Sequence, residues 1–265
     1  MSPSPANPVA PILDRVEVVL CQTSMAENIG AAARAMKTMG LSRLVLVAPR
    51  AAVDDKARAV ATHAVDVLEA ARVVDSVDAA VADSVAVWAT TARSRSLSLP
   101  LLDGRAAAAE IARQAAALPA EAGGRVSVLF GAERTGLTNE ELGVADRLLA
   151  LHANPAYPVL NLAQAVQLVA YEVFHAAGEA PGGLAPAEPP ATNAELATLC
   201  GRLEAALEAR AFFPGGQAEE RERHARRLMQ RVRLVLNRAR PQRDELQILQ
   251  GMLTALLRPP RDRDD

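Results

Sequence analysis

Through the first 180 residues, short β-rich apolar runs alternate with longer stretches of helical periodicity. Runs at residues 16–20, 44–47, 85–89, 126–130 and 148–151 read as five strands. Helical patterns cover residues 31–39, ended by Gly40, and then 54–72, 77–82, 105–118, 139–142 and 160–177. Strands alternating with helices predict an α/β fold, a mostly parallel sheet with helices on both faces. Residues 178–192 hold four prolines and three glycines. Such a segment neither continues a helix nor joins a ladder, and it reads as a linker. Beyond it lie three helical patterns, at residues 194–211, 218–238 and 243–257, which predict a small all-α extension. In the middle one Leu228, Val232, Val235 and Leu236 share a face, while Arg223, Arg226, Arg227, Arg231 and Arg233 crowd the remaining surface. Two domains are therefore expected, at residues 16–177 and 193–258, with disordered ends at 1–15 and 259–265.

Composition narrows the function classes. The chain has 265 residues, room for one large domain or a domain with an appendage. Half of it is hydrophobic (50%) and 23% is charged, which excludes disorder throughout. A formal net charge of −2 excludes a wholly basic nucleic-acid coat protein. No run approaches the roughly 18 apolar residues of a membrane span. The first eleven residues lack the basic and apolar regions of a signal peptide. Two distant cysteines, Cys21 and Cys200, exclude a disulfide framework and a CxxC zinc site, and read as buried small apolar residues. A soluble, cytoplasmic protein without a membrane partner is expected.

Charge distribution changes the picture. Of 29 basic residues all but Lys37 and Lys56 are arginine. With the abundance of Ala and Val this reflects base composition, so an isolated arginine means little. From Asn193 onward, however, 14 arginines face 11 acids, and within residues 221–243 nine arginines face only Glu222. The acidic body and the basic C-terminal segment are different devices.

Candidate chemistry begins with absences. There is no GxGxxG after the first strand, no GxxxxGK[ST] loop and no HExxH. His63, His152, His175 and His224 show no metal-ligand spacing, so no metal is expected. Three loops following predicted strands stand out. NIGAAAR places Asn28 to cap a helix, Gly30 for close backbone approach, and Arg34 nearly two turns on, so that Asn28 and Arg34 face one cleft. GAERTG brackets Glu133 between Gly131 and Gly136. NPAYPVLNLAQA is a proline-punctuated loop leading into a helix near Asn161. Singly, each reads as an ordinary helix start, turn or cap. Ligands gather at the carboxyl ends of strands in open α/β sheets, so together they outline a site.

The three motifs, in this order and at these separations, resemble the SPOUT (α/β-knot) methyltransferases, in the branch that acts on RNA ribose 2′-hydroxyls. N-x-G-x-x-x-R matches at Asn28, Gly30 and Arg34; G-x-E-x-x-G at Gly131, Glu133 and Gly136; the L-N-L closure at Leu160, Asn161 and Leu162. TTARSR (residues 90–95) is similar to the family's loop after the third strand. The stretches NPAYPVLNLAQAVQLVAYEV and RARPQRDELQILQGML resemble the TrmJ type, which methylates nucleotide 32 of tRNA anticodon loops. The resemblance runs from about Val16 to Leu257.

It implies a trefoil knot near the carboxyl end of the catalytic domain, S-adenosyl-L-methionine as cofactor, and a homodimer whose active sites draw on both protomers. A knot breaks the usual connection rules, so it rests on the resemblance alone. By similarity the cofactor pocket uses Thr90, Thr91, Gly131, Leu151, Val159 and Leu160, and Arg34, Asn28, Glu133 and Asn161 are catalytic. A guanidinium holds its proton and is a poor base, so Arg34 reads first as phosphate anchor and polariser, with general base as the alternative. Related enzymes commonly carry serine where this chain has Val159, and a hydroxyl contact is lost there. The resemblance turns the basic extension into a tRNA-binding surface, with Arg93, Arg95, Arg223, Arg226, Arg227 and Arg231 as its contacts. The alternative is a solvated helix in an arginine-rich chain, and an aromatic content of 3% argues against a base-stacking platform. Three functions stay open: tRNA ribose 2′-O-methylation, the same chemistry on ribosomal RNA, and a non-catalytic knot-fold RNA-binding protein.

Overall fold

The computed structural model describes residues 9–91, 99–119, 123–179, 189–213 and 218–257. The chain divides into two units, Met1–Pro186 and Ala187–Asp265. In the first unit, seven strands form one sheet: β1 (Val16–Cys21), β2 (Arg43–Val47), β3 (Arg72–Val74), β4 (Ser84–Thr91), β5 (Leu101–Asp103), β6 (Arg125–Phe130) and β7 (Arg147–Ala150). Their order is β3-β2-β1-β6-β4-β7-β5, and every pairing is parallel. All of β1 is buried, the signature of a strand covered on both faces.

Eight α-helices and one 3-10 turn (Thr62–Ala64) complete the described part of this unit: α1 (Ala10–Leu13), α2 (Ala26–Thr38), α3 (Asp55–Ala61), α4 (Val65–Glu69), α5 (Val77–Ala80), α6 (Gly104–Ala116), α7 (Asn139–Leu142) and α8 (Leu162–Glu179). Helix α8 packs between α2 and α6 over a core that includes Val18, Leu20, Trp88, Val128 and Phe130. The alternate side chains Val19, Val45, Val87 and Leu129 are buried on the other face, where α5 packs against β2 and β3.

The structure departs from the sequence expectations in five places. Helix α2 begins at Ala26 rather than residue 31, so Asn28 lies inside its first turn and does not cap it; Met25 holds the cap position without a side-chain bond. The single helix expected at residues 54–72 breaks at Thr62, where φ is 52°, into α3 and α4. Strands β3 and β5 went unforeseen; each has three residues and lies at a sheet edge. The expected linker at 178–192 is partly structured, because α8 runs to Glu179 and Thr192 caps the next helix. Residues 9–15, expected to be disordered, carry α1, with Leu13 fully buried.

The strand order explains why the three motif loops meet. β6 lies between β1 and β4, and β7 between β4 and β5, although β6 and β7 come last in the chain. All strands run the same way, so the loops leaving β1, β4, β6 and β7 emerge along one edge.

The second unit contains α9 (Asn193–Ala209), α10 (Ala218–Ala239) and α11 (Arg243–Leu257). Leu196, Leu199, Ala206, Leu246 and Leu253 form its core, with Leu203 and Leu236 at the margin. The face of α10 turned inward is Ala225, Met229 and Asn237; the stripe expected from periodicity is displaced, leaving Val235 54% exposed. Arg233, expected on the surface, is half-buried and donates to Asn193 Oδ1 at 3.3 Å. Among the described residues, no helix is long and apolar enough to cross a membrane, and no cluster of His, Cys, Asp and Glu could hold a metal.

Candidate active site

The site is organised around one carboxylate. Glu133, in the loop after β6, accepts from the Ser24 backbone N–H at 3.1 Å, the Ser24 hydroxyl at 3.0 Å and Asn28 Nδ2 at 2.9 Å. A carboxylate only accepts, so Asn28 must turn its amide nitrogen toward Glu133 and its oxygen away. That oxygen receives Asn161 Nδ2 at 3.0 Å, which leaves Asn161 Oδ1 to accept from the Ala163 N–H at 2.9 Å. Gln164 Oε1 returns to the Asn161 N–H at 3.2 Å, and the start of α8 is capped. The loops after β1, β6 and β7 are thus tied by an oriented chain, Ser24/Asn28–Glu133 and Asn28–Asn161. Partial burial opposes ionisation of Glu133, but the bonds from Asn28, its own backbone and Ser24 outweigh it and hold its pKa below the ordinary carboxylate value.

The loop after β6 is closed on itself. The Gly136 N–H donates to the Ala132 carbonyl at 2.8 Å, and Gly136 adopts φ 67°. A Cβ on Gly131 would lie 2.1 Å from the Leu137 nitrogen, so only glycine fits this approach. Helix α7 follows, started by a capping box between Thr138 and Glu141. Glu141 also accepts from Gln22 Nε2 at 3.2 Å, linking α7 to the end of β1.

A pocket opens beside this network. Thr90, Thr91, Gly131, Leu151, Val159 and Leu160, the six residues expected to hold a cofactor, all line it. Leu137, Leu142, Leu149, Pro158, Glu133 and Arg134 complete most of the wall. Thr90 donates its hydroxyl to the Leu129 carbonyl at 2.9 Å. Leucine, valine and proline side chains beside the polar Thr90, Thr91, Glu133, Arg134 and Thr135 suit a nucleoside with polar substituents.

Arg34 does not join this assembly. It is exposed on α2 and absent from the pocket wall, whereas Asn28 is buried. The reason is angular: six helical residues at about 100° each leave the two side chains roughly 120° apart, so one cleft of one subunit does not receive both. Arg93 and Arg95 lie outside the described residues. In the second unit Arg223, Arg226, Arg227 and Arg231 are all exposed on α10, with Arg226 paired to Glu222 at 2.7 Å. Sequence reasoning passed over Ser24 and Arg134. The first carries no motif; the second sits in GAERTG beside Glu133, where its adjacency was the available signal.

Residues 15–171 match the SpoU rRNA Methylase family, and residues 194–265 match the C-terminal domain of the tRNA methyltransferase TrmJ. The chain is 41% identical over 249 residues to the tRNA (cytidine/uridine-2'-O-)-methyltransferase TrmJ of Salmonella typhimurium, covering 92% of this chain and 97% of that protein. The protein of the same name from Escherichia coli K12 is 41% identical over 249 residues, covering 92% and 96%. Of solved structures, TrmJ from Z. mobilis ZM4 superposes with a TM-score of 0.77 at 35% identity, over 91% of this chain and 99% of that one.

Proposed function

The chain belongs to the SpoU rRNA Methylase family, and from that premise we propose that it methylates the ribose 2′-hydroxyl of a cytidine or uridine in tRNA. Its first unit has that family's α/β fold with a parallel sheet. The methyl donor in this reading is S-adenosyl-L-methionine, and the target is nucleotide 32 of the anticodon loop. The observation that carries it is the pocket of Thr90, Gly131, Leu151 and Leu160 abutting the Ser24–Glu133–Asn28–Asn161 network. The match of residues 194–265 to a tRNA methyltransferase domain favours tRNA over ribosomal RNA.

When bound, S-adenosyl-L-methionine supplies an electrophilic methyl group, so the reaction needs placement more than covalent catalysis. The residues present fit it: leucine walls suit adenosine, and Thr90 and Thr91 border the pocket. Glu133, Asn28 and Asn161 hold the three loops in register, so that the pocket does not reorganise during transfer. Arg34 anchors the RNA phosphate and polarises the 2′-hydroxyl, and its outward position on α2 supports a site completed across a homodimer. Leu168 and Tyr171 on α8 are 42% and 46% exposed, an apolar stripe suited to that interface. Arg223, Arg226, Arg227 and Arg231 contact tRNA phosphates, and the protein works in the cytoplasm.

The test is transfer of labelled methyl groups to tRNA transcripts, with and without the ribose hydroxyl at nucleotide 32. Label is expected on the first only. Arg34→Ala is expected to lose about 100-fold in rate with S-adenosylhomocysteine binding intact. Label on ribosomal RNA alone, or none on any RNA, would sink the proposal.

A further inference from the structure

The pocket wall contains one arginine or lysine among the described residues, Arg134, and the network around Glu133 leaves it uncommitted. Arg134 is exposed and makes no hydrogen bond or ion pair with a described residue. The obvious partner, the neighbouring Glu133 carboxylate, is already engaged by Ser24 and Asn28. The loop bearing Arg134 is preorganised, since its base is closed by the Gly136-to-Ala132 bond and by the contact of Gly131 with Leu137. A fixed loop therefore presents an unpaired guanidinium to a cavity whose other polar side chains are the hydroxyls of Thr90, Thr91 and Thr135 and the already engaged Glu133.

Given the proposed methyl donor, we infer that Arg134 recognises the carboxylate of its amino-acid end. The inference rests on the functional reading above. Leucine walls accommodate adenosine, but a carboxylate partly withdrawn from water is best met by a charged donor. A guanidinium supplies two parallel N–H groups for it. Arg134 is the only such group the pocket wall offers among the described residues, which is why it is assigned to the small molecule rather than to an RNA phosphate.

Calorimetry on the full chain tests this with three ligands: S-adenosylhomocysteine, its decarboxylated analogue, and methylthioadenosine, which lacks the amino-acid end. The unaltered protein is expected to bind S-adenosylhomocysteine about tenfold more tightly than the decarboxylated analogue. Arg134→Ala is expected to erase that preference while binding methylthioadenosine as before, and Arg134→Lys to retain part of it. A preference that survives in Arg134→Ala, or is absent from the unaltered protein, overturns the inference. So does a variant whose ligand affinities are unchanged while its tRNA affinity drops, which would give the arginine to phosphate. Failure of methylthioadenosine to bind at all would refute the pocket assignment itself, and both readings would fall together.

Discussion

At the scale of single residues, Glu133 shows how one charge can order three loops. Its carboxylate receives three donors, and because it cannot donate, it also dictates how Asn28 and Asn161 are oriented. Glu133→Gln would keep the volume but turn an amide toward the donors of Ser24. We expect a stability loss of about 1–2 kcal/mol at neutral pH, after allowing for the exposure of Ser24. The folded pKa is depressed below the ordinary value of 4.5, so this contribution is fully present above that pH and lost as pH falls through the folded value. Urea unfolding of both proteins at neutral pH and in acid should show a gap that closes on acidification. A gap independent of pH would mean that the charge is not what orders the loops.

At the scale of elements, the space around each glycine decides what a side chain there would do. Gly30 in α2 faces α3 so closely that a Cβ would lie 2.1 Å from the Ala57 carbonyl oxygen. The helices must part to admit it, and Gly30→Ala is expected to cost about 2–3 kcal/mol. Gly201 in α9 and Gly251 in α11 meet nothing within 4 Å of the same added atom. Here alanine only removes backbone freedom from the unfolded chain, and Gly251→Ala should stabilise by up to about 1 kcal/mol. Denaturant midpoints check both. The same substitution in three helices should change sign with packing, and destabilisation by Gly251→Ala would mean that its exposed helix face is covered.

At the scale of the molecule, the two units have different cores and different charge. The first has its own sheet and pocket; the second has a leucine core under an arginine-rich helix. A chain ending at Glu179 is expected to fold, because β1 through α8 bury one another without the rest. It should bind S-adenosylhomocysteine as the full chain does and lose most tRNA affinity. If the four exposed arginines of α10 each neutralise one phosphate, the full chain's log–log salt slope should exceed the truncated one's by roughly 3. Equal affinities and slopes would return α10 to a solvated surface.

Local pattern determined a good deal of this. The five strands with four or more residues were legible because a strand buried on both faces needs an unbroken apolar run, whatever its partners. The capping box that begins α7, and the helices α9 to α11, follow from short-range chemistry in the same way. The three motif loops were visible as polar punctuation after strands. Tertiary structure decided the rest. β3 and β5 are three-residue edge strands whose conformation comes from pairing with β2 and β7, and three residues carry no periodicity of their own. Asn28 had a capping side chain by local rules, but a carboxylate 105 residues away supplies a charge-assisted partner that a cap cannot match, and α2 extends past it. Arg34 and Asn28 are neighbours in sequence that the helix turns apart. Glu133, Asn28 and Asn161 are distant in sequence and meet only because β6 inserts beside β1. Propensity acts over one or two turns, whereas the site is assembled by strand order, which no window of sequence contains.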